Sequence, residues 1–159
     1  MPTSLREWGV LVACIAVCQL AGLIGTIFTL DAIPTWYAFL DKPSFSPPNW
    51  LFGPVWTALY TLMGVSLYLV WRTPTSGVRS LGLRWFGVQL VLNALWSILF
   101  FGLQNPLYGL VCIILMLASI VVTTRYFNRV SSLAAWLLAP YILWVSFATL
   151  LNASIWYLN

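Results

Sequence analysis

The longest stretch of this chain without a charged residue runs from Trp85 to Thr124, about 40 residues. A helix needs roughly 20 apolar residues to cross a bilayer, so this stretch is long enough for two passes. Of the 159 residues, 62% are hydrophobic, 16% aromatic and only 6% charged. Soluble domains carry about 25% charged residues, and disordered chains are poor in aromatic ones. The sequence therefore excludes both classes and predicts an integral membrane protein.

Charged residues and helix breakers divide the chain into five predicted membrane helices. Pro47-Pro48 mark the start of one helix, and Asn105 can cap another whose first position is Pro106. Pro140 is expected to bend the last helix. The helices are predicted at residues 8–30, 49–71, 85–103, 106–126 and 133–157, and residues 31–48 form a long first loop rich in proline and aromatic residues. The prediction is an all-α integral membrane protein, a single domain over residues 1–159, with this loop as a structured lid.

Two alternative interpretations of the apolar runs are excluded. The first run is longer than the roughly 7–15 apolar residues of a cleaved signal peptide, so it is interpreted as a retained helix. The runs are continuous, whereas the strands of a membrane β-barrel alternate over about 10 residues.

The arginines indicate the orientation in the membrane. Five helices place the N-terminus and the second and fourth connections on one side, and these segments hold every arginine: Arg6, Arg72, Arg79, Arg84, Arg125 and Arg129. Cytoplasmic segments carry an excess of positive charge. We therefore expect a multi-pass membrane protein with a cytoplasmic N-terminus and a non-cytoplasmic C-terminus.

The composition also excludes several kinds of chemistry. The chain has no histidine, so it offers no histidine-based catalysis and no imidazole metal ligand. Cys14, Cys18 and Cys112 lie in apolar stretches, where small packing residues are more common than redox or metal sites. Because no charged residue lies deep within a predicted helix, an ion channel or a proton relay is not expected. The scattered net charge of +4 forms no nucleic-acid patch.

Polar and aromatic side chains indicate what the bundle encloses. Gln89, Asn93 and Trp96 share one face of the third helix, at spacings of four and three residues. They are explained either by hydrogen bonds between helices or by a ligand site. Six of the ten tryptophans lie near predicted helix ends, as in interfacial belts: Trp8, Trp50, Trp71, Trp85, Trp136 and Trp156. Trp56, Trp96 and Trp144 lie deeper, which favours a flat, largely apolar ligand held by stacking.

Three sequence motifs resemble those of the tryptophan-rich sensory protein/translocator protein family, which includes the peripheral benzodiazepine receptor. The first motif comprises Trp36-Tyr37, the run from Lys42 to Trp50 and the run from Gly53 to Tyr60. The second runs from Gln89 to Ser97 and includes Phe100-Phe101-Gly102. The third runs from Pro140 to Trp144 and from Phe147 to Asn152. They follow in family order, and the resemblance covers nearly the whole chain. In two places the chain departs from the family: Phe45 replaces a common tryptophan, and Tyr157 is not followed by the basic residue of the animal cholesterol pattern.

The resemblance implies a five-helix bundle, commonly dimeric, with a pocket closed by the first loop. Family members bind porphyrins and, in animals, cholesterol and benzodiazepine-type drugs. Some bacterial members degrade protoporphyrin IX in light, through tryptophans that match Trp56 and Trp144, the candidate catalytic residues. The ligand-binding residues that carry over are Tyr37, Trp56, Tyr60, Asn93, Trp96, Trp144, Phe147, Ala148 and Leu151.

The expected function is binding of a porphyrin, protoporphyrin IX or haem, by a sensor or regulator of tetrapyrrole levels, with degradation in light and oxygen as a further activity. No required cofactor, metal or nucleic-acid partner is expected. Lys42 is a candidate contact for porphyrin carboxylates, or else for a lipid headgroup. The alternative functions are transport of a sterol, lipid or tetrapyrrole, and signalling to a partner through the arginines around 72–84. Small residues on the first helix (Cys14, Cys18, Ala21, Gly22 and Gly25) fit either a homodimer contact or packing within the bundle.

Overall fold

The computed structural model describes Pro2 and residues 4–159, and within these residues it is all-helical. The helices are Leu5–Thr35 (α1), Phe52–Trp71 (α2), Gly77–Ser97 (α3), Pro106–Val130 (α4), Ser132–Leu137 (α5) and Ala139–Leu158 (α6). Short 3₁₀ turns cover Tyr37–Phe39 and Asn49–Leu51, and a π-helical turn, Ile98–Gly102, extends α3. Five helical segments of the described chain are long and apolar enough to cross a membrane, which confirms the predicted number of spans.

The first helix is longer at both ends than predicted. It begins at Leu5 because the side chain of Ser4 caps it, accepting a hydrogen bond from the Glu7 amide at 3.3 Å. It continues past Asp31, an exposed helical residue, to Thr35. The predicted loop at 31–48 is therefore helical in its first five residues, because an exposed carboxylate marks the end of an apolar run without ending the helix.

Helix α3 begins eight residues before the predicted start at Trp85. Ser76 caps it, and its hydroxyl accepts from the Arg79 amide at 3.2 Å. The first turns of α3 thus carry Arg79 and Arg84, which the apolar-run criterion left outside the helix. Capping residues, rather than the edge of the apolar run, set where these helices begin.

The connection between α3 and α4 forms as predicted. Gln104 has a positive φ of 51°, which turns the chain sharply. Asn105 then caps α4 by accepting hydrogen bonds from the amides of Leu107 and Tyr108, both at 3.1 Å, and Pro106 occupies the first turn. The last span is interrupted at Leu138, so α5 and α6 are separate helices and Pro140 lies in the first turn of α6.

Small residues of α1 pack within the bundle. Cys18 is fully buried, and Cys14 and Ala21 are nearly so. A Cβ atom at Gly22 would lie 2.3 Å from the Tyr60 ring, and one at Gly25 would lie 2.6 Å from the Ser97 hydroxyl. These residues therefore allow α1 to approach α2 and α3 closely, which favours packing within the bundle over the dimer contact considered for them.

Candidate ligand-binding cavity

A cavity of about 430 Å³ lies within the helix bundle. It is enclosed by the C-terminal half of α1, the first turns of α2, the end of α3 and the end of α6. These segments place it at the end of the bundle that carries the α1–α2 connection. The described residues that line it include no charged side chain. Its volume falls within the range of roughly 300–1,000 Å³ of small-molecule sites.

Two stacked aromatic pairs form walls of this cavity. The rings of Trp56 and Tyr60 lie 5.4 Å apart at 29°, and those of Trp96 and Phe100 lie 5.3 Å apart at 22°. The indole N–H of Trp96 donates to Asn152 Oδ1 at 3.1 Å, which fixes the orientation of its ring. Ala148 and Leu151 of α6 also line the cavity. Broad aromatic faces beside small and aliphatic side chains suit a flat apolar ligand.

A chain of buried hydrogen bonds joins this cavity to the middle of the bundle. Tyr60 Oη donates to Asn93 Oδ1 at 2.5 Å, Asn93 Nδ2 donates to Tyr141 Oη at 3.0 Å, and Tyr141 Oη donates to Gln89 Oε1 at 2.9 Å. Tyr60 and Asn93 line the cavity. The amides of this α3 face thus form hydrogen bonds between helices, and Asn93 also contributes to the cavity wall.

One side of the cavity is open. Leu23, Leu30 and Trp50 line it and are also 60%, 65% and 71% exposed. Leu23 and Leu30 lie on α1, and Trp50 lies in the turn that leads into α2. The opening between α1 and the start of α2 is on the outer surface of the bundle, where a membrane protein meets lipid.

Trp144 and Phe147 pack outside the cavity. The Trp144 ring lies 5.9 Å from that of Phe52, which does line the cavity, and 5.6 Å from that of Phe147. Phe147 in turn lies 6.2 Å from Phe45 of the α1–α2 connection. Trp144 thus contacts a lining residue, Phe52, without itself lining the cavity. The buried Trp144 Nε1 has no hydrogen-bond partner among the described residues.

The α1–α2 connection contributes Tyr37 to the cavity lining. This side chain lines the cavity, is 4% exposed, and packs 5.7 Å from the ring of Phe101. Burial raises the pKa of the Tyr37 phenol above its ordinary value, and a hydrogen bond with Ser46 offsets part of that shift. Tyr37 is therefore neutral at physiological pH and adds no charge to the cavity.

Lys42 stabilises this connection. Its ammonium group donates to the backbone carbonyls of Tyr37 at 2.7 Å, Leu40 at 2.9 Å and Ala38 at 3.4 Å, and lies 4.8 Å from the centre of the Tyr37 ring. A ligand carboxylate would have to compete with these carbonyls for the same protons. The contact between Lys42 and a ligand carboxylate therefore remains a prediction. Lys42 does not line the cavity, so the structure adds no support for this contact.

The contribution of α1 to the cavity was not predicted from the sequence. Gln19, Gly22, Thr26, Thr29 and Ile33 all line it. Their spacing of three and four residues places them on one helical face. A stripe of polar and small residues on an apolar helix can indicate a cavity wall. The small residues of this stripe also fit contacts between helices, and so the cavity wall was missed. Phe52, Phe100, Phe101 and Asn152 are further lining residues that the prediction of the site omitted.

The fold and the cavity define a class: a multi-pass helical membrane protein that encloses an uncharged aromatic cavity. The sequence model of the TspO/MBR family matches residues 14–158, and the chain belongs to this family. It is 48% identical to the tryptophan-rich protein TspO of Archaeoglobus fulgidus, over 94% of this chain and 96% of that protein. It is 46% identical to the protein of the same name from Chlorobaculum tepidum, over 94% and 95%. The human translocator protein is 40% identical over 87% of this chain and 83% of its own length.

Proposed function

We propose that the cavity binds a porphyrin, such as protoporphyrin IX or haem, and that the protein senses or regulates tetrapyrrole levels. The observation that carries this proposal is the uncharged cavity of about 430 Å³ with Trp56 and Trp96 in its walls. Stacked aromatic pairs contribute about 0.5–1.5 kcal/mol beyond the area that they bury. A flat macrocycle would gain a contribution of this size from each indole ring on which it stacks.

The open side makes room for a ligand of this size. The volume lies towards the lower end of the range for small-molecule sites, so a macrocycle would fill the cavity and extend through the opening between α1 and α2. Its carboxylates would then lie outside the uncharged interior, where burying a charge without a partner is costly. The N-terminus of α2 is at this end of the bundle and adds partial positive charge.

Titration with protoporphyrin IX tests the proposal, with quenching of tryptophan fluorescence as the readout. The variant Trp56→Phe should weaken binding between about twofold and tenfold, because the phenyl ring stacks over less of the macrocycle. Trp144→Phe should weaken binding less, since Trp144 does not line the cavity. Trp136→Phe is the matched control, because Trp136 is 72% exposed and does not line the cavity.

If Trp56→Phe together with Trp144→Phe leaves both affinity and quenching unchanged, the porphyrin site is elsewhere. Equal weakening by Trp56→Phe and Trp136→Phe would likewise contradict the proposal, because it would indicate binding at the membrane surface.

Transport of a sterol, a lipid or the tetrapyrrole itself is a second candidate, and the exposed lining residues Leu23 and Leu30 favour it. An apolar ligand could pass between the bilayer and the cavity through this opening without crossing water. Cholesterol should then displace bound protoporphyrin in the same titration. Failure of cholesterol to compete would count against sterol transport and leave the porphyrin proposal intact.

The cellular setting is part of the proposal. On the positive-inside distribution of its arginines, we propose that the N-terminus lies in the cytoplasm. A bacterial cell membrane and a homodimer are proposed on the family resemblance. Arg79 is engaged within the chain, donating to the carbonyls of Val70 at 3.1 Å and Trp71 at 2.7 Å at the end of α2. A signalling partner at this face would therefore contact the other arginines.

A further inference from the structure

The hydrogen-bond chain at the cavity wall runs in one direction. Each donation points away from the cavity, from Tyr60 to Asn93, from Asn93 to Tyr141 and from Tyr141 to Gln89. Tyr60 lines the cavity, and because its proton is used on Asn93, a ligand that reaches its oxygen meets only lone pairs. The chain ends at Gln89, whose Nε2 is buried and has no acceptor among the described residues, while the whole side chain is 1% exposed.

The same side chains can form the chain in the opposite direction. The oxygen and nitrogen of an amide have nearly the same shape, so Asn93 and Gln89 can turn over without repacking, and the two hydroxyl protons can rotate. Gln89 then donates to Tyr141, Tyr141 to Asn93, and Asn93 to Tyr60. This arrangement keeps the same number of hydrogen bonds and frees the Tyr60 proton for the cavity.

We infer that Gln89 and Tyr141 are positioning residues that set whether Tyr60 accepts or donates a hydrogen bond toward a ligand. Neither residue lines the cavity. In both directions one polar atom of Gln89 lacks a partner, so neither direction is strongly preferred within the protein. A ligand that offers an acceptor stabilises one direction, and a ligand that offers a donor stabilises the other. The cavity would thus bind flat apolar molecules carrying a single polar group of either kind.

Removal of the Gln89 amide should fix the direction. In Gln89→Leu the Tyr141 proton loses its acceptor, and leaving a buried donor unpaired is costly. Tyr141 must then donate to Asn93, which turns over and donates to Tyr60. The Tyr60 proton is released to the cavity, so the variant should discriminate between ligands that the native protein binds alike.

Two flat tricyclic probes separate these states, since 9-fluorenone carries only an acceptor and carbazole only an N–H donor. Their partition between nanodiscs with and without the protein gives the two affinities. We expect Gln89→Leu to leave the affinity for fluorenone unchanged or higher and to weaken carbazole about fivefold, the loss of one hydrogen bond of about 1 kcal/mol. Ser66→Ala is the control, because it removes a buried hydrogen bond to the Ala134 carbonyl, of 2.8 Å, away from the cavity.

A second variant keeps the inference testable if Gln89→Leu does not fold. Tyr60→Phe removes the hydroxyl that would meet the ligand, so the affinities for both probes should fall about fivefold. Ser66→Ala should change neither affinity. Equal changes for both probes in Gln89→Leu, or weaker fluorenone binding with unchanged carbazole, would overturn the inference. The inference rests on the proposed ligand site, but the two can be refuted separately. If the native protein binds neither probe, the ligand site itself is refuted.

Discussion

At the scale of single residues, the tryptophans divide into two groups with different surroundings. The six near predicted helix ends are exposed, from Trp85 at 37% to Trp136 at 72%. Trp36, Trp56, Trp96 and Trp144 are half-buried and lie in or beside the cavity region. The division was predictable, because an amphipathic indole at a helix end belongs to the membrane interface. Which deep indole lines the cavity depends on side-chain packing across helices, and so the absence of Trp144 from the cavity lining was not predictable.

Degradation of the ligand in light is a prediction at this scale. An excited porphyrin passes its energy to O2, and the resulting singlet oxygen adds both of its atoms to the macrocycle or to an indole. Bound protoporphyrin should therefore bleach faster than porphyrin in empty nanodiscs, and only with oxygen present. Trp56→Phe should slow bleaching more than Trp144→Phe does, because Trp56 lines the cavity.

Absorbance decay under constant illumination, with and without oxygen, measures this effect. Trp136→Phe again serves as the control. If bound porphyrin bleaches at the rate of free porphyrin, the prediction of enzymatic degradation is wrong. The proposal that the protein binds porphyrin would not be affected.

At the scale of helices, turn and cap residues were more informative than the apolar runs. Asn105-Pro106 correctly located the start of α4, whereas α1 and α3 extend beyond their apolar runs. Charged residues do not end a helix in the interfacial region, where water can solvate them. The closeness of α1 to α2 was not predictable either, because it depends on which residue opposes each glycine.

The crossing of α1 and α2 gives a prediction at this scale. A Cβ atom at Gly64 would lie 2.5 Å from the Cα of Ile15, and backbone cannot move aside cheaply. Gly64→Ala should force the helices apart and reduce the free energy of unfolding by about 1–3 kcal/mol.

Gly87→Ala is the matched control for this substitution, since nothing lies within 4 Å of a Cβ atom there. Alanine in an open helix interior should be neutral or stabilise the protein by up to about 1 kcal/mol. Unfolding midpoints in detergent compare the two variants. Equal midpoints would contradict the tight crossing.

At the scale of the whole molecule, the number of spans followed from the positions of charged residues and helix breakers, and the membrane setting followed from composition. A chain with so few charged residues has no other way to place its apolar surface than in lipid. The walls of the cavity could be predicted only in part. Trp56, Asn93 and Trp96 follow from polar and aromatic positions in apolar helices, and the family resemblance adds Tyr37, Tyr60, Ala148 and Leu151. The contribution of α1 to the cavity wall and the opening beside Leu23 depend on how the helices diverge. The residue pattern along a single helix does not predict this divergence.

The central claim is that the ligand occupies the cavity between α1, α2, α3 and α6, and filling that cavity tests it most directly. Ala148 lines the cavity on α6, whereas Ala118 is exposed on the outer face of α4. Equilibrium titration with protoporphyrin IX should give an affinity roughly tenfold lower for Ala148→Leu, because the added carbons take space that the macrocycle needs. Ala118→Leu should bind like the native protein. Unchanged affinity in a folded Ala148→Leu protein would contradict the claim.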